Sequence, residues 1–323
     1  MKYFYPFSTC FIIFLACFTN GVHAQKSCGV KKCKKHCWGA WKPTENKPLC
    51  NDTAREWKLV FSDEFDTDSL DYVKWKDSYP FGRHLTSYCY AKEGKQNLEI
   101  NKGIIQLQTV IDTGTYQRME FDSTGKVYFV PAFYKYTSGM LFSNQQFMYG
   151  RFEMRGKIPE INGGQWPAFW LFGECSQEID VFEFFGSDKK KKLRKAGNIL
   201  VMTYHRKKNP RDECKCMFTD KYISKVPLSN KFHTYAVEWD EYKLVWKIDG
   251  IILFSLYKYK VKNKKGKVFF VENCTDLAKG VSLSENLYFP YLPMNIILDN
   301  AINKDYGKFP SVFEVDYVRV WQR

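Results

Sequence analysis

The sequence predicts an all-β protein, an antiparallel sandwich or barrel, and three observations carry that prediction. From Trp57 onward, short runs alternate apolar and polar residues or concentrate β-branched and aromatic ones. Turn signals such as Asn162-Gly163-Gly164 and Asp249-Gly250 separate those runs. No segment carries the long 3.6-residue apolar period that a helical domain needs. Many strands without intervening helices favour antiparallel pairing over an α/β fold.

The expected strands, in order, are 60–65, 97–109, 147–157, 177–185, 199–205, 233–239, 244–248, 294–299 and 313–322. No internal repeat or linker divides them, so 57–323 reads as one large β domain. Residues 1–24 read as a signal segment: Lys2 opens it, 11–18 is the centre of a short apolar run, and Val22-His23-Ala24 offers a cleavage site. A lipoprotein anchored at Cys17 is the rival reading. Either way the mature chain is expected to be secreted or held at the cell surface.

Residues 25–56 form a small segment rich in Cys and Lys. Nine cysteines remain once Cys10 and Cys17 are set aside: Cys28, Cys33, Cys37, Cys50, Cys89, Cys175, Cys214, Cys216 and Cys274. In an oxidising compartment the first four are expected to pair, in any of three ways, and the odd total leaves a thiol over. Asn51-Asp52-Thr53 and Asn273-Cys274-Thr275 are glycosylation sequons.

Of 323 residues, 45% are hydrophobic and 18% aromatic, which excludes a disordered chain. The 49 Lys and Arg exceed the 35 Asp and Glu by 14. That excess is clumped, with six positive charges in 189–195, six in 258–267 and five in 26–35. A nucleic-acid partner is therefore not expected, since its footprint would spread along a groove or face. The clumps leave association with a cell surface open, and the chain is expected to act as a monomer.

The chemistry concentrates in Gln177-Glu178-Ile179-Asp180-Val181-Phe182-Glu183-Phe184-Phe185. Three carboxylates in an apolar strand cost several kcal/mol each, about 2–7 by transfer measures, unless they have partners or a task. Glu178 and Asp180 share one face of a regular strand, whereas Glu183, five residues from Glu178, falls on the other. A β-bulge at Val181 or Phe182 would cancel that parity and bring all three acids to one side. The two glutamates would then stand about 13 Å apart at Cα, and leaning side chains could close the carboxyls to about 5–5.5 Å. That separation belongs to a retaining glycosidase, with one carboxylate as nucleophile and the other as acid/base. Asp180 between them would raise one neighbour's pKa and hydrogen-bond the other. A solvated edge strand or a structural calcium site is the alternative.

Glu178-Ile179-Asp180-Val181-Phe182-Glu183 resembles the signature of glycoside hydrolase family 16, in the six-residue bulged form of laminarinase-like β-1,3-glucanases. The five-residue form of that family lacks the extra residue. Phe61-Ser62-Asp63-Glu64-Phe65, Tyr149-Gly150-Arg151-Phe152-Glu153, Trp166-Pro167-Ala168-Phe169-Trp170, Phe232-His233-Thr234-Tyr235 and Val315-Asp316-Tyr317-Val318-Arg319-Val320 follow the family's order. The resemblance covers 57–323 and implies a jelly-roll β-sandwich with a substrate cleft on its concave sheet.

Carried over by position, the resemblance makes Glu178 the nucleophile, Glu183 the general acid and then base, and Asp180 the residue that orients and tunes Glu178. It places Trp166, Trp170, His205 and Arg151 in substrate binding. It implies no cofactor for catalysis, and a structural Ca²⁺ held by Glu64, Gly103 and Asp316, oxygen ligands suited to that ion. Two departures bear on substrate: the strand at 295–302 lacks the Gly-Gly and Trp-rich loop usual after it, and the loop 173–177 is short. The expected activity is endo-hydrolysis of a β-linked polysaccharide, β-1,3-glucan first. Anionic algal galactans, transglycosylation and non-catalytic glucan binding are the alternatives.

Overall fold

A computed structural model of the chain describes residues 41–43, 56–122, 126–174, 177–186, 196–206, 216–272, 282–286 and 288–323. The signal segment, most of the Cys-rich segment with Cys28, Cys33, Cys37 and Cys50, both sequons and the lysine run 189–195 lie outside the described residues. Cys89 is a free, buried thiol.

Two sheets face each other, antiparallel except where Cys89–Ala91 pairs parallel with Val127–Ser138. The inner sheet has seven strands in the order Cys216–Ile223, Ile199–Arg206, Gln177–Glu183, Gln165–Gly173, Met294–Ile302, Met140–Phe147 and Trp75–Lys76. The ten-stranded outer sheet runs from Ile251–Tyr257 through Lys243–Ile248, His233–Trp239, Gly150–Lys157 and Ser311–Gln322 to the long pair Ile104–Phe121 and Val127–Ser138, with short Cys89–Ala91 at its edge. Lys58–Asp63 adds to Ser311–Gln322, and Leu98–Asn101 to Ile104–Phe121. Connections between neighbours in sequence often cross from one sheet to the other, the jelly-roll pattern.

Alternation along the strands builds the core. Phe152 and Met154 of the outer sheet meet Phe169, Leu171, Ile179 and Phe182 of the inner one, all buried. A second buried cluster lies on the opposite face of the inner sheet, where Ala168, Trp170, Phe172, Ile297 and Ala301 pack with Tyr79, Leu85 and Tyr136. The inner sheet is thus covered on both faces, and strand Met294–Ile302 is buried along its whole length.

Several boundaries differ from expectation for local reasons. The expected strand 97–109 breaks at Lys102-Gly103, both with positive φ (52° and 76°), a tight turn between Leu98–Asn101 and Ile104–Phe121. The run 147–157 breaks likewise at Tyr149-Gly150. A small third sheet joins Trp41–Pro43, Ser282–Asn286, Tyr259–Lys262 and Val268–Phe270. Trp41–Pro43, inside the Cys-rich segment, therefore pairs with Ser284 to Asn286, far along the chain.

Candidate active site

The three acids of Gln177–Glu183 come to one side because the strand carries an extra residue. Trp170 pairs with Asp180 and the adjacent Phe169 pairs with Phe182, which leaves Val181 without an opposite number. On the other flank Asp180 faces Thr203 while Glu183 faces Val201, three residues against two. Val181 and Phe182 both turn into the core. Glu178, Asp180 and Glu183 all line one cleft on the outer face of the inner sheet. The bulge stands where parity required it.

Neighbouring strands fix the partners. His205 lies directly opposite Glu178. Its Nε2 is 3.1 Å from Asp180 Oδ2 and 3.9 Å from Glu178 Oε1. Asp180 is 3% exposed, so it is held within the sheet rather than offered to solvent. Trp166 donates its Nε1–H to Glu183 Oε1 at 3.0 Å. Trp170 turns its Nε1–H to Asp299 Oδ2 at 2.9 Å and packs its ring edge-on to Tyr79.

The electrostatics separate the two glutamates' roles. Burial pushes the Glu183 pKa well above the usual carboxylate value, and the nearby Asp180 and Glu178 charges push it further, against the opposing pull of His205 and the Trp166 hydrogen bond. Glu183 thus keeps its proton to higher pH than an ordinary carboxyl and can give it to a leaving oxygen. Glu178 sits between His205 and the open cleft, where a carboxylate can reach an electrophilic carbon.

Not every expected site residue is here. Arg151 lies on the outer sheet, where it pairs with Glu153 and stacks over Trp321, 5.1 Å to the ring centroid. Phe152 beside it points into the core, so Arg151 points away from both the core and the cleft. It does not line the cleft. Of the expected calcium ligands, Glu64 presents its carbonyl beside Gly103, where the Asp66 carboxylate, not an expected ligand, also lies. The Asp316 carboxylate is paired with Arg155, and the Glu64 carboxylate with Arg319 at 2.7 Å. Two of the three expected ligands adjoin, and the third is already held by a guanidinium. Glu178, Asp180 and His205 also present ligand-type atoms within 4.8 Å of one another.

Residues not expected from sequence complete the cleft. Tyr79, Leu85 and Thr86 line it from the segment between Trp75–Lys76 and Cys89–Ala91, and Asp299 and Ala301 from strand Met294–Ile302. The one signal for Asp299 was a single charged residue in the strand Met294–Ile302.

Residues 94–277, more than half of the chain and the whole catalytic strand, match the model for glycosyl hydrolases family 16. The chain belongs to that family. As a family 16 member it is a glycosidase. The beta-glucanase of Rhodothermus marinus is 27% identical over 297 residues, 84% of this chain and 87% of the relative. The kappa-carrageenase of Pseudoalteromonas carrageenovora is 26% identical over 280 residues, 80% of this chain and 63% of the relative. Among solved structures, the laminarinase catalytic domain of Thermotoga maritima superposes with a TM-score of 0.56 at 22% identity, covering 83% of this chain and 99% of that one, a likeness of fold.

Proposed function

We propose that the protein is a secreted, endo-acting, retaining β-glycanase whose first substrate is β-1,3-glucan. The observation that carries this reading is the contrast across the bulge: a proton-holding Glu183 under Trp166, and Glu178 beside Asp180 and His205 in the same cleft. Glu178 attacks the anomeric carbon as Glu183 protonates the departing glycosidic oxygen, giving a covalent glycosyl-enzyme. Glu183, now a carboxylate accepting the Trp166 N–H, takes a proton from water, which attacks the same carbon and frees Glu178. Two inversions at one carbon leave a β product. Asp180 and His205 orient Glu178 between the steps.

The substrate assignment is supported by the aromatic residues Tyr79, Trp166 and Trp170 lining the cleft and by the beta-glucanase relative. Sulfated galactan is the second reading, favoured by the kappa-carrageenase relative. Transfer to a sugar instead of water would use the same intermediate. Residues 1–24 would direct export, after which the enzyme is free or held at the cell surface. A structural Ca²⁺ at Glu64, Gly103 and Asp316 would have to draw Asp316 away from Arg155.

Glu178→Gln is expected to abolish turnover while folding and glycan binding persist; a variant with wild-type turnover would refute the mechanism. NMR of the first products should show the β anomer, and initial α anomer would rule out retention. Digestion of laminarin, mixed-linkage glucan, agarose and carrageenan, with products sized by chromatography, identifies the polymer.

A further inference from the structure

The cleft holds a fourth carboxyl group that double displacement does not use. Asp299 is 5% exposed and lines the cleft with the catalytic acids. Register fixes its place. Glu183 pairs with Ala168, and Ala168 pairs with Asp299. Directly opposed residues of antiparallel strands share a face, so the three form one row across the sheet. Two strand spacings put Asp299 about 10 Å from Glu183 at Cα. It therefore addresses a neighbouring sugar, not the reacting one.

Its partners make the residue unusual. Oδ2 accepts the Trp170 indole N–H at 2.9 Å, and the Ala301 amide also donates to the carboxylate. Both donors are neutral, and among the described residues no Lys or Arg pairs with Asp299. Burial lifts its pKa to about 6, so the group is ionised at and above neutrality. An asparagine oxygen could accept the same two hydrogen bonds without burying a charge. The packing has no need of the charge, which leaves substrate as the thing it addresses.

The rest of the lining agrees. Glu178, Asp180, Glu183 and Asp299 supply four acids, and among the described residues no Lys or Arg lines the cleft. Resting on the glycosidase reading above, we propose that Asp299 is a specificity-determining residue, an anionic acceptor for a hydroxyl of a neighbouring neutral sugar that bars sulfated or carboxylated rings from that position. A carboxylate has about four lone-pair sites, so two remain after the indole and amide. An ester sulfate brought to the same place would meet a like charge in a dry, low-dielectric setting. The described lysines of 258–267 sit on or beside the small third sheet and its hairpin, and none of them lines the cleft.

The test compares wild type, Asp299→Asn and Trp170→Phe at mildly alkaline pH, on the neutral polysaccharide that wild type cleaves best and on the same polymer chemically sulfated. Wild type is expected to show a kcat/KM about tenfold to a hundredfold lower on the sulfated form. Asp299→Asn should shrink that ratio to a few-fold while cleaving the neutral polymer somewhat less well. Trp170→Phe removes the hydrogen bond and keeps the charge, so it should keep the wild-type ratio. A wild type that prefers the sulfated polymer, an unchanged ratio in Asp299→Asn, or equal loss of discrimination in Trp170→Phe overturns the inference. None of these touches the catalytic reading, which stands or falls with Glu178→Gln. If no polymer is turned over, or Asp299→Asn melts too early to assay, the same ratio is read in wild type and Asp299→Glu as quenching of tryptophan fluorescence by neutral and sulfated oligosaccharides. Asp299→Glu keeps the charge and should keep the preference for the neutral sugar; binding the sulfated one equally well refutes the proposal.

Discussion

The indole of Trp246, on the outer sheet, donates its Nε1–H across the core to the main-chain carbonyl of Asp180, at 2.9 Å. Asp180 is the last regularly paired residue before the bulge, where ladder partners run out. A buried carbonyl there needs a donor from elsewhere. The opposite sheet supplies it, so the bulge that aims the catalytic acids is held from behind.

Trp246→Phe keeps most of the ring volume and removes that donor. Stability should fall by about 1–3 kcal/mol, the cost of an unmet buried acceptor. Turnover should fall more than affinity, because the acids lose aim while the cleft keeps its shape. Thermal melts and a kcat-against-KM comparison check this.

Trp166→Phe removes the hydrogen bond that favours ionised Glu183, so the Glu183 pKa should rise further. The first step needs protonated Glu183. The alkaline limb of the kcat/KM profile should therefore move to higher pH, alongside a lower maximum from the lost help to the second step. A limb that stays put or moves down would contradict the assignment of Glu183.

Glu183 also links pH to stability. Its folded pKa lies above the unfolded carboxylate value, so between those two values the native state binds more protons than the unfolded state. Its contribution to stability is present at acid pH and is lost as pH rises through the raised folded value. Glu183→Gln should melt higher than wild type near neutrality, and the difference should close as pH drops toward the unfolded value. Melting curves across that range measure it.

Chelation offers a separate check on Glu178, Asp180 and His205, whose spacing would suit a metal. The proposed chemistry uses Glu178 as a free nucleophile. Exhaustive EDTA treatment should leave kcat unchanged. Loss of activity restored by one divalent ion would instead make this cluster a metal site. Melting the same samples with and without Ca²⁺ reads the Asp316 locality, where the Arg155 pair predicts little change.

Much of the site was legible because catalysis needs a pattern that strands do not otherwise produce. Glu178, Asp180 and Glu183 announced themselves as acids in an apolar run, and parity called for a bulge at Val181 or Phe182, of which the structure takes Val181. Asp299 was hidden for the opposite reason. Strand Met294–Ile302 is buried on both faces, so no alternation marks which residues look into the cleft. Strand Gln165–Gly173 is nearly as buried, and its Trp166 and Trp170 stood out as residues while the strand itself did not. Arg151 misled because outward positions of the two sheets look alike in sequence. Only pairing with Glu238 and Trp321 says which sheet it belongs to.

The unpaired Val181 has an evolutionary corollary. Removing that one residue would leave Glu178 and the second glutamate four positions apart, an even offset, so an unbulged strand would again present all three acids on one face. The indel is neutral to facing, though an insertion of one residue almost anywhere else in a buried strand inverts it. The five-residue and six-residue signatures can thus interconvert by a single codon without turning any of the three acids off that face. The second glutamate advances by the same four effective steps in both, and what the extra residue adds is a local bend and twist of the strand that re-aims it.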